Sequence, residues 1–168
     1  MSTVIMAKAF PNSQFIGYDF HPSSIEHARA HAQEHGVTAN ARFEVGRARD
    51  YPEKNLDLVA FFDCLHDMGD PAGAAAHVRQ SHNPDCSWMI VEPMAGDRLE
   101  DNLNPVERIY YAASTIVCVP TSLSQEVGTA LRAQAGEVRL REVISAGGFR
   151  NVRRAVETPF NMILEARL

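Results

Sequence analysis

Short apolar runs alternate with helical segments along the first half of the chain, and this alternation restricts its fold more than any other feature. Four runs have the character of strands: 15–18, 41–45, 56–62 and 88–91. The segments between them are long enough for crossover connections. Strands joined by helical crossovers form a parallel sheet with helices on its faces, so the pattern predicts an α/β fold. The nearly continuous apolar run at 56–62 also predicts a strand buried on both faces.

Proline and glycine set the ends of the predicted helices. One helix follows Pro22 and ends at Gly36, a favoured residue just past a helix C-terminus. Another begins at Asp70-Pro71, where an N-cap precedes proline at the first helical position, and it ends before Pro84. These boundaries support the crossover pattern.

The second half of the chain departs from the alternation. Segment 94–135 is predicted to be a helical insertion, with one helix from Pro105 to Pro120 and a second over 124–133. A further helix over 138–146 precedes two strands, 149–156 and 161–166, that form an antiparallel hairpin. We therefore expect residues 1–168 to be one domain, a mostly parallel sheet with an antiparallel C-terminal hairpin.

Composition excludes several classes of protein. The chain has 168 residues and a net charge of −5, so one domain is expected and a basic nucleic-acid-binding face is not. No apolar run approaches the roughly 20 residues of a membrane helix. Three widely spaced cysteines, Cys64, Cys86 and Cys118, fit neither a disulfide framework nor a zinc site, and no metal is expected. A cytoplasmic location follows as the default expectation.

Acidic residues and one histidine follow the predicted strands. Asp19 comes after the first strand, Asp63 and His66 after the third, and Glu92 after the fourth. Ligands of parallel sheets bind at the carboxyl ends of the strands. Asp19 has two readings of about equal weight: its carboxylate accepts ribose hydroxyls, or it caps the following turn. Taken without its surrounding motif, His66 is better explained as a loop residue that caps the next helix than as a catalytic group.

Six short motifs carry a resemblance to a known family. They are FIGYD (15–19), GRARDYP (46–52), LDLV (56–59), LHDMGDP (65–71), WMIVEP (88–93) and GGF (147–149). In order and spacing the chain resembles the class I S-adenosylmethionine-dependent methyltransferase domain, and most closely the small-molecule O-methyltransferases. The resemblance implies a Rossmann-like fold, S-adenosylmethionine as cofactor and methyl transfer to oxygen of a small-molecule acceptor.

The resemblance also implies individual roles. Asp19 would hold the ribose hydroxyls, with Phe20 beside the adenine. Backbone groups around Ala48 and Arg49 would contact the edge of the adenine ring. Asp63 would face the methionine part of the cofactor. His66 lies where plant-type O-methyltransferases have their general base, and 94–135 would cover the acceptor pocket. A histidine is suited to removing the acceptor's proton near neutral pH.

The glycine-rich turn of such folds precedes the ribose-binding acid by about 20 residues, which places it at or before Met1. We therefore expect the family's first strand and turn to be missing, and weak cofactor binding by this chain. Two alternatives follow: a non-catalytic remnant that acts as an interaction module, or one part of a split enzyme. A missing strand would leave two strand edges open, which favours a homodimer.

Overall fold

Residues 1–52 form a small α/β unit in the computed structural model, which describes all residues from 1 to 168. Its elements are α1 (Ser2–Ala9), β1 (Phe15–Asp19), α2 (Pro22–Glu34) and β2 (Ala41–Val45). The two strands are parallel, with Gly17 opposite Phe43. Gly36 has a φ of 67° and ends α2, as predicted. The core joins both helices to the sheet through Val4, Ala7, Ile25, Ala32, Val37, Ala41 and Phe43.

Residues 53–168 form a second unit around a four-stranded sheet. Its strands are β3 (Leu56–Phe62), β4 (His82–Pro93), β5 (Asn151–Glu157) and β6 (Asn161–Arg167). Its helices are α3 (Pro71–Ser81), α4 (Pro105–Ala113), α5 (Val119–Leu123) and α6 (Gly136–Ala146). Short 3₁₀ turns lie at Leu65–Asp67 and Leu99–Asn102, and a π turn lies at Ser114–Cys118.

The sheet of the second unit has the order β3-β4-β6-β5. β3 and β4 are parallel, whereas β6 is antiparallel to both β4 and β5. The predicted α/β class and the antiparallel C-terminal hairpin are therefore confirmed. The core of this unit centres on Trp88, whose ring contacts those of Phe61 and Phe149.

β3 is buried on one face only, so the prediction of a strand buried on both faces is wrong. Val59 and Phe61 are buried, while Leu58 and Phe62 on the opposite face are 48% and 36% exposed. An apolar run does not reveal whether a second layer is present to cover it. Sequence pattern alone therefore could not distinguish the two arrangements.

Both sheets have an unpaired strand edge. β1 pairs with β2 alone in the first unit, and β3 pairs with β4 alone in the second, so each of these strands has one edge without a partner strand.

The predicted helix over 124–133 is also wrong. This segment has no regular structure, and Gly128, Ala130 and Arg132 all have positive φ. Its backbone and side chains bond to a distant loop instead: Thr129 N–H donates to the Gly69 carbonyl at 2.9 Å. Tertiary hydrogen bonds thus override the local helical preference of the sequence.

Pro120 does not stop the helix that begins at Pro105, contrary to the prediction. The chain continues through the π turn at Ser114–Cys118 into α5, with Val119 N–H bonded to the Ser114 carbonyl. A wider turn before the proline removes the need for the i→i−4 bond that proline cannot donate. None of the helices has the length and apolar character needed to cross a bilayer.

Candidate active site

The residues predicted to hold a nucleoside lie at one edge of the first unit. Asp19 and Phe20 end β1, and Ala48 and Arg49 follow β2. The two strand ends are adjacent, because Gly46 N–H donates to the Asp19 carbonyl at 3.0 Å. The four residues therefore share one edge of the parallel pair, as predicted.

Asp19 does cap the turn that follows it. Its Oδ1 accepts the backbone N–H of His21 at 2.8 Å, which leaves Oδ2 as an acceptor for a ligand. The neighbouring Phe20 ring is 66% exposed and offers an apolar surface beside this carboxylate. Turn capping and hydroxyl binding are thus compatible at Asp19, since each uses a different oxygen.

His66 is held in the second unit by a buried carboxylate. It lies in the 3₁₀ turn after β3 and is 4% exposed. Its Nδ1 is 2.5 Å from Oε2 of Glu92, at the end of β4. The other oxygen of Glu92 accepts the Leu65 N–H at 2.9 Å. One carboxylate therefore orients both the imidazole ring and the backbone that carries it.

The Glu92 carboxylate also shifts the protonation of His66. Burial alone lowers the pKa of an imidazole, but the hydrogen bond and negative charge of Glu92 oppose it, so the pKa of His66 is raised. With Nδ1 engaged by Glu92, Nε2 is the ring atom left for other chemistry. It lies 3.3 Å from Oδ1 of Asp67.

Asp63 ends β3 in a left-handed conformation, with a φ of 47°. This conformation is uncommon for a residue with a side chain, and such residues concentrate at functional sites. Oδ1 of Asp63 accepts from the Asn161 amide at 2.8 Å, across the end of the sheet. Asp63, His66 and Glu92 thus lie at the same carboxyl edge.

Segment 118–129 is bonded to the loop that carries His66. The Gln125 side chain accepts from Gly69 N–H and donates to the Asp67 carbonyl, both at 2.9 Å. Ser122 donates to the Met68 carbonyl at 2.8 Å. These bonds connect segment 118–129 to the loop. Two surface concavities, of about 150 and 320 Å³, lie elsewhere, on α2–β2 and on the C-terminal hairpin.

The sequence predicts Glu92 at this edge, because it directly follows a buried strand, but nothing in the sequence pairs it with His66. No pattern points to Gln125, because it lies far from His66 in the chain and the sequence predicts a helix there.

The matches to known proteins agree with this architecture. The model of a family described as a methyltransferase domain matches residues 2–136. A search of curated protein sequences found no match.

Solved structures share the fold at low sequence identity. An O-methyltransferase family 2 protein from Planctomyces limnophilus, in complex with apigenin, is 17% identical with a TM-score of 0.74; the match covers 98% of this chain and 45% of that one. An O-methyltransferase family protein from Burkholderia thailandensis is 16% identical with a TM-score of 0.73, and the match covers 98% of this chain and 46% of that one. Human N-acetylserotonin methyltransferase in complex with SAM is 18% identical with a TM-score of 0.68, and the match covers 96% of this chain and 42% of that one. The chain thus spans less than half the length of these proteins.

Proposed function

Because the chain belongs to the class I S-adenosylmethionine-dependent methyltransferase domain family, we propose that it transfers a methyl group from S-adenosylmethionine to an oxygen of a small-molecule acceptor. The observation that carries this proposal is the buried His66–Glu92 pair at the carboxyl edge of the sheet. Such a pair fixes one imidazole nitrogen and leaves the other, Nε2, to accept the acceptor's proton. Two solved structures with the same fold are of proteins named as members of O-methyltransferase families. A third is of a protein named N-acetylserotonin methyltransferase.

The residues of the first unit suit the nucleoside part of the cofactor. In this proposal Oδ2 of Asp19, which the bond to His21 leaves unused, accepts a ribose hydroxyl, and the exposed Phe20 ring contacts the adenine. The backbone around Ala48 and Arg49 would border the adenine, and Asp63 would face the methionine part. When bound, the cofactor supplies a methyl group on a sulfonium that is a good leaving group. The protein's task is therefore mainly to position the acceptor and remove its proton.

We propose that segment 94–135 forms the acceptor side of the site. In this proposal it belongs, with the rest of residues 1–168, to one methyltransferase domain. Since His66 is almost fully enclosed and segment 118–129 is bonded to its loop, an acceptor reaches Nε2 only when that segment moves. Binding and closure would then exclude water from the transfer. We place this activity in the cytoplasm, in keeping with three free cysteines.

The test is a methyl-transfer assay with His66→Ala. The purified chain is incubated with radiolabelled S-adenosylmethionine and a panel of small phenols. We expect transfer that falls about 10²–10⁴-fold in the variant, with cofactor affinity by calorimetry unchanged. His27→Ala, at an exposed site on α2, is the matched control. Absence of transfer by the unaltered chain, or an equal loss in the control, would contradict the proposal.

We also propose that the chain works as a homodimer. The open edges of β1 and β3 can accept a strand from a second copy, and packing of that copy on the exposed face of β3 would cover Leu58 and Phe62. Light scattering over a range of concentrations should give a species of about twice 18.6 kDa, and Leu58→Lys with Phe62→Lys should dissociate it. A species of 18.6 kDa at all concentrations would overturn the dimer.

The same open edges favour a second candidate function. A non-catalytic interaction module, or one part of a split enzyme, would use an edge of β1 or β3 to bind a strand of another polypeptide. This candidate predicts a monomer that fails the transfer assay alone. In the split form, transfer returns when a polypeptide containing the glycine-rich turn is added, and the His66→Ala variant abolishes that recovered activity.

A further inference from the structure

Three side chains with metal-binding atoms meet beside the His66 ring. A ring nitrogen of His66, a carboxylate oxygen of Asp67 and Sγ of Cys118 all lie within 4.8 Å of one another. His66 and Cys118 are buried, and Asp67 is partly buried. His66 and Asp67 come from the turn after β3, whereas Cys118 ends the π turn before α5. The fold thus assembles nitrogen, oxygen and sulfur donors from two distant parts of the chain.

The orientation of His66 is the one that metal-bound histidines have. Its Nδ1 is hydrogen-bonded to the buried Glu92 carboxylate, so Nε2 is directed at the cluster. In metal sites the second imidazole nitrogen is usually bonded to a carboxylate or carbonyl, which fixes the ring and makes the ligand more basic. Glu92 would fulfil this role without being a ligand.

Asp67 has an oxygen without a hydrogen-bond donor. Its Oδ1 is enclosed and has no hydrogen bond; Nε2 of His66 lies 3.3 Å away and forms an ion pair with it only when the imidazole is protonated. Buried carboxylate oxygens normally have a donor or a cation beside them. Binding of a cation to Sγ of Cys118 would displace the thiol proton to solvent.

The donor set selects the kind of cation. Zinc takes histidine nitrogen, thiolate sulfur and carboxylate oxygen in tetrahedral sites, whereas magnesium and calcium prefer oxygen alone. Ligand atoms around a tetrahedral zinc are separated by roughly 3.3–3.8 Å, so the three side chains need to close by only about 1 Å. Three protein ligands leave the fourth position open.

We propose that His66, Asp67 and Cys118 form a binding site for Zn²⁺ or a cation of the same class, with one position open to solvent or ligand. A consequence rests on the proposed function: a cation on Nε2 prevents His66 from accepting the acceptor's proton. Zinc would therefore inhibit methyl transfer by occupying the base.

Cobalt binding tests the site without any need for activity. The metal-free chain is titrated with Co²⁺, which should give the visible bands of tetrahedral cobalt and a near-ultraviolet thiolate-to-cobalt charge-transfer band. Equimolar Zn²⁺ should remove both. Cys118→Ser should lose the charge-transfer band, and Asp67→Asn should weaken cobalt binding at least about tenfold.

Two other cysteines provide matched controls. Cys86→Ser and Cys64→Ser should keep the charge-transfer band, since neither residue belongs to the cluster. Circular dichroism confirms that each variant is folded. No thiolate band in the unaltered chain, or a band that persists in folded Cys118→Ser, would overturn the site.

Activity separates the site from its consequence. Zinc should inhibit methyl transfer by the unaltered chain, and in Cys118→Ser the zinc concentration that halves the variant's own zinc-free rate should rise at least about tenfold. Cobalt bands without zinc inhibition would overturn only the blockade of His66. Cobalt bands in a chain that transfers no methyl group would uphold the site and contradict the proposed function instead.

Discussion

Glu92 and His66 come from the ends of two neighbouring strands and meet as a buried pair. The carboxylate of Glu92 makes two bonds, one to Nδ1 of His66 and one to the Leu65 N–H. A buried carboxylate with both oxygens used is a rigid support. The direction in which Nε2 of His66 faces is therefore decided by Glu92.

Glu92→Gln should slow methyl transfer by about 10²-fold, because glutamine keeps the shape but loses the charge that holds the ring in one orientation. Steady-state kinetics should show the loss in kcat, with KM for S-adenosylmethionine unchanged. Glu142→Gln, at an exposed position of α6, is the control. A rise in KM with kcat unchanged would exclude this positioning role.

His82 is a second enclosed histidine, but it has no polar partner. It begins β4, its ring packs edge-on against Phe149 at 5.2 Å, and both ring nitrogens lack hydrogen bonds. Burial lowers the pKa of His82 from the ordinary 6.5. The folded state therefore favours the neutral ring.

His82 should make the fold less stable at acidic pH. Since its folded pKa lies below the unfolded value, the unfolded chain binds the proton more readily as pH falls through about 6.5. Stability is lost from there down to the folded pKa. Urea unfolding at about pH 7.5 and about pH 5.5 should show a smaller loss for His82→Leu than for the unaltered chain. Equal losses would contradict the prediction.

At the scale of elements, segment 118–129 acts as a brace for the loop after β3. Ser122, Gln125 and Thr129 all bond to backbone groups of residues 67–69. Positive φ at Gly128 and Ala130 turns the chain so that these bonds can form. The brace replaces the helix expected here, because each of its bonds satisfies a loop group that has no partner in the sheet.

Gln125→Ala should loosen this brace. It removes three side-chain hydrogen bonds, two of them to the loop, so we expect a loss of about 1–3 kcal/mol in unfolding free energy. Amide exchange of Gly69 should become faster, because its N–H loses the Gln125 oxygen. Gln80→Ala, at an exposed position of α3, should change neither. Unaltered exchange at Gly69 in Gln125→Ala would show that the brace is not what holds the loop.

At the scale of the whole molecule, the chain divides into two units that have separate cores. Residues 1–52 bury seven apolar side chains around Phe43, whereas residues 53–168 are organised around Trp88 and Phe149. A unit of about 50 residues buries little surface and is marginally stable by itself. The first unit is therefore expected to open at a lower free energy than the second.

Unfolding of the full chain should show two transitions. The one tryptophan, Trp88, is fully buried in the second unit and reports on that unit. Circular dichroism should begin to change at a urea concentration where Trp88 fluorescence is still native. Amides of α2 should likewise exchange faster than those of α6. Coincident transitions by both probes would indicate one cooperative unit and contradict this view.

The sequence by itself determined most of the order of elements and the strand ends at which the candidate site residues lie. Apolar runs identified the strands, Gly36 and Asp70-Pro71 marked helix ends, and motifs after the strands placed Asp19, Asp63 and His66. These features depend on local periodicity and on residue type at a strand end, both of which can be read along the chain.

Tertiary structure alone decided which of these groups meet. The pairing of His66 with Glu92, the approach of Cys118, the irregular path of 124–133 and the open face of β3 all depend on residues distant in sequence. Local periodicity holds no information about whether a residue many positions away in the chain will contact a given side chain. Burial and hydrogen bonding across that distance override local preference, and they are settled only when the sheet and its covering segments assemble.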